Sequence, residues 1–213
     1  MITINNGSLS ELLKSCDTGP FMQAQIFSLT GLGNLRVQCN WLYSALNVDP
    51  GTTGEFLWSF NKIDDNHISL SPPTGTCISK PLFASARDDN QYFMQVQAPF
   101  SADWITSAQR DETFYFEIHD LNMAVFKGFN GSYFQVDNAE TSHGNWKAYR
   151  IRSIGNTVDK NTQWYIKIKK SIQEGVNFIG IDYSPDGVRN KLVNSGIDFD
   201  AVTLDKLVRQ ISD

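Results

Sequence analysis

The sequence predicts an all-β protein built from a threefold internal repeat. Of its 213 residues, 12% are aromatic and only 19% are charged, and this charge content is below the usual quarter for soluble proteins. Between residues 21 and 170, short runs of β-branched and aromatic residues alternate with clusters of Gly, Asn, Asp and Pro. That alternation indicates many short strands joined by tight turns.

Three segments of this stretch share one order: an apolar strand, a turn that contains glycine, and a second apolar strand. The segments are residues 26–37, 68–79 and 125–136. Their turn glycines are Gly33, Gly75 and Gly131. Glycine permits a positive φ, so the two strands can reverse direction tightly. We therefore expect three equivalent hairpins with these glycines in corresponding positions.

An aromatic strand with alternating apolar and polar residues follows each segment. The apolar residues predicted to face a shared core are Trp58, Phe60, Phe114, Phe116, Trp164 and Ile166. The alternate positions, which include Glu117, Lys167 and Lys169, are expected to face water. One repeat alone cannot bury its apolar face, whereas three repeats closed around one axis can do so without exposed sheet edges. The pattern therefore predicts about twelve strands with pseudo-threefold symmetry.

The third copy carries a resemblance to a known fold family. Residues 124–136, followed by Trp164-Tyr165-Ile166, show a hydrophobic strand, Asn-Gly, then Ser and Tyr. This order resembles the fascin-like and lectin-like β-trefoils, and the resemblance covers residues 21–170. It implies a β-trefoil. Ricin-type trefoils carry Gln-x-Trp in each repeat, and that motif occurs nowhere in this chain, so ricin-type sugar sites are not carried over.

The segments on either side of the repeat have a different character. Residues 1–20 are expected to hold one short helix, roughly over residues 9–16, because Ser8 and Glu11 have capping-box spacing. Residues 21–170 are the predicted β-trefoil domain. Residues 171–213 are predicted to form an α/β appendage of one strand, a turn and two helices.

The last predicted helix has a marked apolar face. Asp200 can cap its first turn, and the apolar residues at helical spacing after it are Leu204, Leu207, Val208 and Ile211. A trefoil does not require this tail. We therefore expect that the helix either packs on the trefoil, docks a protein partner, or offers a seam for a homodimer.

Charge and targeting signals exclude several classes of partner. The formal net charge is −5, which disfavours duplex nucleic acid and anionic membrane surfaces. No apolar run is long enough to span a membrane, and the amino end lacks a secretory signal. The three cysteines, Cys16, Cys39 and Cys77, are expected to be reduced and buried. The chain is therefore predicted to be cytoplasmic, or exported by a route that needs no such signal.

Residues suited to catalysis do not form a recognisable set. The histidines His67, His119 and His143 lie in different repeats without the spacing of metal ligands. No glycine-rich phosphate loop precedes a helix. The sequence therefore predicts a protein that is not an enzyme and that uses no metal and no cofactor.

Several tryptophans lie outside the alternating strands and next to polar residues. They are Trp41, Trp104 and Trp146. A Trp ring near Asn or Asp side chains suits the apolar face and the hydroxyls of a sugar. Asp137 and Asn138 follow the third hairpin strand, so with Trp146 they form the best candidate site. The alternative is that these Trp side chains fill the open end of the closed sheet.

Three functions follow from these observations. The first is a non-catalytic, lectin-like module that binds carbohydrate through Asp137, Asn138, Trp146, Trp41 and Trp104. The second is a protein-binding trefoil of fascin-like, inhibitor-like or toxin-associated type that docks through its carboxyl-terminal tail. An enzyme is the third, and no group of residues supports it.

Overall fold

The structure of the chain is a computed structural model. It describes residues 2–5, 9–38, 41–45, 55–73, 83–85, 95–97, 114–119, 122–128, 131–143, 146–172 and 174–213. Within these ranges the chain is mostly β, with a curled antiparallel sheet and a few short helices.

The described part of the chain contains fourteen strands and three helices. The strands are β1 (Ile2–Asn5), β2 (Gly19–Ser28), β3 (Asn34–Gln38), β4 (Trp41–Ala45), β5 (Trp58–Lys62), β6 (His67–Ser71), β7 (Phe83–Ser85), β8 (Gln95–Gln97), β9 (Phe114–His119), β10 (Met123–Lys127), β11 (Tyr133–His143), β12 (Trp146–Gly155), β13 (Gln163–Ser171) and β14 (Val176–Ile179). The helices are α1 (Leu9–Ser15), α2 (Pro185–Val193) and α3 (Ala201–Ser212).

Strands β2 to β13 form one twelve-stranded sheet. Antiparallel pairings close six of its strands into a ring, in the order β2, β5, β6, β9, β10 and β13. The other six form three hairpins, β3–β4, β7–β8 and β11–β12. Strands β1 and β14 pair in parallel as a separate two-stranded sheet. The division of the chain at residues 20 and 170 stays a prediction.

Two of the predicted glycine turns share one hydrogen-bond geometry. In each, a glycine N–H donates to the carbonyl oxygen three residues earlier, at 3.2 Å for Gly31 and 3.0 Å for Gly131. Both glycines have positive φ, 73° and 81° respectively. By this hydrogen bond Gly31 corresponds to Gly131. The predicted Gly33 corresponds instead to Ser132, because their carbonyls accept from the backbone N–H of Ser28 and of Gly128, both at 3.0 Å. Gly75 lies outside the described residues.

The aromatic strands that follow these turns anchor to the hairpins in the same way. The indole Nε1 of Trp58 donates to the carbonyl of Leu35 at 3.0 Å, and that of Trp164 donates to the carbonyl of Phe134 at 3.4 Å. The predicted core residues that are confirmed as buried are Trp58, Phe60, Trp164 and Ile166. The side chains of Phe114 and Phe116 lie outside the description.

Helix α1 packs into this core at the amino end of the chain. Its Leu9, Leu12 and Leu13 are buried, which confirms the predicted short helix. The Nζ of Lys62 donates to the carbonyls of Leu13 at 2.8 Å and Cys16 at 2.9 Å. A lysine at this place satisfies carbonyls that the end of a helix leaves without partners.

Cys16 follows α1 and is buried with a free thiol, as predicted. Burial raises the pKa of this thiol, and the nearby charge of Lys62 offsets part of the rise. Cys39 and Cys77 lie outside the described residues.

The outer face of β13 is not exposed to water, contrary to the prediction. Tyr165 is 0% exposed and Lys167 only 4% exposed, whereas Lys169 is exposed as expected. The reason is that helices α2 and α3 pack over this face of the sheet. We refer to residues 181–213, which contain both helices, as the C-terminal unit.

A second apolar cluster joins the C-terminal unit to the sheet. The sheet and the turn after β2 contribute Phe27, Leu29, Met123 and Tyr165, and the unit contributes Val188, Leu192, Leu207, Val208 and Ile211. Three of the four residues predicted as a homodimer seam are therefore buried within their own chain, because the sheet already covers them. Leu204 is half-buried.

None of the helices that the structure describes combines the length and the apolar composition needed to cross a membrane.

Candidate functional site

The predicted sugar site lies on the β11–β12 hairpin. The register of these strands is interrupted, so that Asp137, Asn138 and Ala139 stand opposite the single residue Arg150. Such a bulge bends the strand and changes the direction of its side chains. The backbone of these residues is described, and their side chains are not.

The register separates the predicted site residues. Trp146 pairs with His143 at the hairpin end, four positions from Arg150, which is about 13 Å along a strand. On the neighbouring strand β4, Tyr43 pairs with Arg150. Trp41 lies two positions further along β4, on the side of Arg150 opposite to Trp146. The two tryptophans are thus about 20 Å apart along the strands. Trp104 lies outside the described residues.

A groove opens at a different place in the molecule. An open groove of about 450 Å³ lies between the β12–β13 turn and the α2–α3 connection. The turn contributes Val158, Asp159, Lys160, Asn161 and Gln163, and the connection contributes Ser195, Gly196, Ile197 and Asp198. Its volume lies within the range of small-ligand sites.

The first wall is a turn held by its own side chains. Asp159 Oδ1 accepts from the backbone N–H of Asn161 at 2.7 Å, and Oδ2 accepts from the hydroxyl of Thr157 at 3.2 Å. The hydroxyl of Thr162 donates to the carbonyl of Thr157 at 2.7 Å and accepts from the N–H of Asp159 at 3.0 Å. These bonds fix the backbone that presents Lys160 and Asn161.

The second wall follows the end of α2. The hydroxyl of Ser195 donates to the carbonyl of Leu192 at 2.6 Å and accepts from the N–H of Ile197 at 3.2 Å. Gly196 has φ of 77°, a conformation that favours glycine after a helix. Ile197 packs against the apolar cluster that joins the C-terminal unit to the sheet, so the position of this wall is linked to that packing.

The groove offers both polar and apolar groups to a ligand. Within the described ranges, the side chains of Lys160, Asn161 and Asp198 make no hydrogen bond or ion pair. Val158 is 39% exposed, and Ile197 is half-buried. Among the described residues, no group of three or more His, Cys, Asp or Glu could hold a metal ion. The arrangement suits non-covalent binding of a small amphipathic molecule.

Two tyrosines, the buried Tyr165 and the half-buried Tyr183, attach the C-terminal unit to the sheet. The hydroxyl of Tyr183 accepts from the N–H of Ile168 at 2.7 Å, and the rings of Tyr183 and Tyr165 meet edge to face at 6.5 Å. Burial raises the pKa of both phenols. Lys167 and Lys191 lie over the Tyr183 ring, at 5.8 Å and 5.4 Å from its centroid. These contacts join Tyr183 and Lys191 of the C-terminal unit to Tyr165 and Lys167 of β13.

Acid is expected to loosen α3 before the sheet. Asp200 caps α3 by accepting from the hydroxyl of Thr203 at 2.7 Å and from its N–H at 2.9 Å, and these bonds lower the pKa of Asp200. A carboxyl whose pKa is lower in the folded state stabilises the fold fully above its unfolded pKa of about 3.9. That stabilisation is lost as the pH falls through the folded pKa.

Hydrogen exchange measured from about pH 5 to about pH 3 tests this expectation. As the pH falls, protection of residues 201–212 should be lost before that of β13. In Asp200→Ala, the protection of residues 201–212 should differ little between the two pH values. Equal loss of protection in α3 and β13 would contradict it.

Comparisons with known proteins show the fold only. A scan against protein-family models finds no match, and a search of curated proteins finds none either. The chain is similar to the crystal structure of Cry35Ab1, with a TM-score of 0.50 and 13% identity over 74% of this chain and 38% of that chain. It therefore spans well under half the length of Cry35Ab1. A Caenorhabditis elegans structural-genomics protein with unknown function gives a TM-score of 0.45 and 12% identity over 70% of this chain and 94% of that chain. The likeness to Cry35Ab1 shows a mostly β fold with a curled antiparallel sheet and a few short helices.

Proposed function

We propose that the chain is a non-catalytic binding module of β-trefoil type that holds a saccharide in the groove between residues 158–163 and 195–198. A β-trefoil consists of a closed six-stranded sheet and three hairpins. The ring of β2, β5, β6, β9, β10 and β13 and the hairpins β3–β4, β7–β8 and β11–β12 agree with that arrangement. The matching geometry at Gly31 and Gly131 supports an internal repeat.

The observation that carries the proposed activity is the set of unpartnered side chains in a groove with a fixed wall. A sugar presents apolar C–H groups on its ring faces and hydroxyls around its edge. Val158 and Ile197 can contact the former, while Asn161 and Asp198 can hydrogen-bond the latter. Because the contacts are few and open to water, we expect Kd in the millimolar range, about −4 kcal/mol.

The predicted hairpin site remains part of the proposal as a second place for a saccharide. Since Asn138 lies in the bulge opposite Arg150, it is about 13 Å along the strands from Trp146. The proposed second site consists of Asp137, Asn138 and Trp146, with Trp41 and Trp104 as candidates for further contacts.

The protein-binding alternative, in which residues 171–213 dock a partner, is the second candidate. Leu207, Val208 and Ile211 are buried against the sheet and are not available to such a partner. The exposed surface of the C-terminal unit, which includes Val193 and Val202, is the part left for docking. The expected absence of nucleic acid and membrane partners is retained here as part of the proposal.

Substituting Asn161 is expected to weaken saccharide binding. Asn161→Ala should raise Kd about 2–12-fold, because one lost hydrogen bond is equivalent to about 0.5–1.5 kcal/mol. The measurement is titration of ¹⁵N-labelled protein with glucose, galactose and mannose, followed through the amide shifts of residues 158–163 and 195–198.

Asn156→Ala is the matched control, because Asn156 is exposed in the same turn and does not line the groove. Shifts confined to the β11–β12 hairpin, removed by Trp146→Ala but not by Asn161→Ala, would place the saccharide at the hairpin. No shift with any of the three sugars at molar concentration would refute saccharide binding.

A further inference from the structure

We propose that the groove selects saccharides by charge and binds amino sugars most tightly, neutral sugars less tightly and acidic sugars most weakly. This rests on the proposed saccharide binding in the groove. It adds the ligand class, which follows from the charged residues around the site.

Carboxylates outnumber cations around the groove. Asp159 and Asp198 line it, and Lys160 is the one cation among the described lining residues. Lys160 also lies close enough to Asp200 to contribute to the lowered pKa of that carboxyl. The described lining residues thus carry a formal net charge of −1, which favours a cationic ligand group over an anionic one.

The two lining carboxylates are not neutralised by other partners. Asp159 accepts its hydrogen bonds from an amide and a hydroxyl, both uncharged. Asp198 is exposed at the edge of the groove and has no partner within the described ranges. The groove is therefore an unfavourable place for a carboxylate and a favourable one for an ammonium group.

The expected selectivity is modest, because the groove is open to water. One net charge about 6 Å from a charged ligand group in water changes Kd about threefold. An ammonium and a carboxylate at the same place then differ about tenfold. The Debye length is about 30 Å at 0.01 M salt and about 3 Å at 1 M, so the difference should disappear at high salt.

Three sugars with one hexose skeleton test the inference on the full chain. Glucosamine, glucose and glucuronate are titrated at about pH 6, where the amine of glucosamine and the carboxyl of glucuronate are both charged. At 0.01 M salt the Kd of glucuronate should exceed that of glucosamine about tenfold, with glucose between them. At 1 M salt the three values should converge.

Two substitutions distinguish an effect of charge within the groove from an effect of the net charge of the whole chain. Asp198→Asn keeps the size of the side chain and an acceptor oxygen, and it should reduce the tenfold ratio to about unity. Asp186→Asn makes the same change in net charge at an exposed residue outside the groove, and it should leave the ratio unchanged.

The outcomes distinguish this inference from the function on which it rests. If none of the three sugars binds, the proposed function fails. If glucuronate binds as tightly as glucosamine at low salt, or if both substitutions lower the ratio equally, charge selection in the groove is overturned while saccharide binding stands.

Discussion

Replacing Phe126 with alanine is expected to lower the free energy of unfolding by about 3–5 kcal/mol. Phe126 lies on β10, is 0% exposed, and belongs to the main core. Its ring centroid is 6.3 Å from that of Phe60 on β5 and 5.8 Å from that of Phe134 on β11. The substitution therefore leaves a cavity between β5 and β10 of the six-stranded ring and β11 of a hairpin. A loss of this size is a large part of the stability of a typical domain.

Urea denaturation of the variant and the wild-type chain gives this difference directly. If Phe126→Ala does not fold, Phe126→Leu provides the measurement, with an expected loss below about 1.5 kcal/mol. Val202→Ala is the control, because Val202 is 77% exposed and its truncation should cost little. A Phe126→Ala chain as stable as wild type would show that the core is not built around this residue.

Placing a carboxylate at Leu207 is expected to release the C-terminal unit from the sheet. Leu207 is 0% exposed in the cluster that holds α3 against the outer face. Leu207→Asp would bury a charge without a partner, which commonly costs more than the packing of one helix can supply. Because the unit forms one wall of the groove, saccharide binding should be lost with it.

Hydrogen exchange read by mass spectrometry separates local release from global unfolding. In Leu207→Asp, protection should fall in residues 185–212 and at Tyr165, while β2, β5 and β10 stay protected. Val202→Asp places the same charge on the exposed side of the same helix and should change neither protection nor binding. Loss of protection throughout the sheet would contradict this expectation, because it would show that the C-terminal unit and the six-stranded ring unfold together.

Local patterns in the sequence were sufficient to predict several elements. Alternation placed Trp58, Phe60 and Trp164 in the core, and the structure confirms them as buried. Capping chemistry located the last helix, where Asp200 accepts from the N–H of Thr203. These features depend on residues a few positions apart, so a short window of sequence contains the information.

Features that depend on distant segments were missed. The alternation of residues along β13 predicted that Lys167 faces water. It is buried because α2 and α3, which follow β13 in the sequence, cover that face of the strand. The apolar face of α3 was the available signal, since Leu207, Val208 and Ile211 need a surface of matching size. Sequence spacing also aligned Gly33 with Gly131, whereas the turn hydrogen bonds align Gly31 with Gly131.

The candidate groove could not be predicted from motifs. Its two walls, at residues 158–163 and 195–198, are far apart in sequence and contain no aromatic residue. The sugar hypothesis was based on tryptophans. Two of them, Trp41 and Trp146, lie on paired strands whose register places them far apart. Strand register is set by pairing across the sheet, and composition near a tryptophan does not reveal it.

The C-terminal unit and the β12–β13 turn are proposed to form one saccharide site together, and a crystal structure of the full chain with glucosamine is the decisive experiment. We expect one sugar ring between Asn161 and Asp198, with its ammonium group toward the Asp198 carboxylate and the unit packed over Tyr165. A ring bound at the β11–β12 hairpin with an empty groove, or a C-terminal unit packed elsewhere, would contradict it.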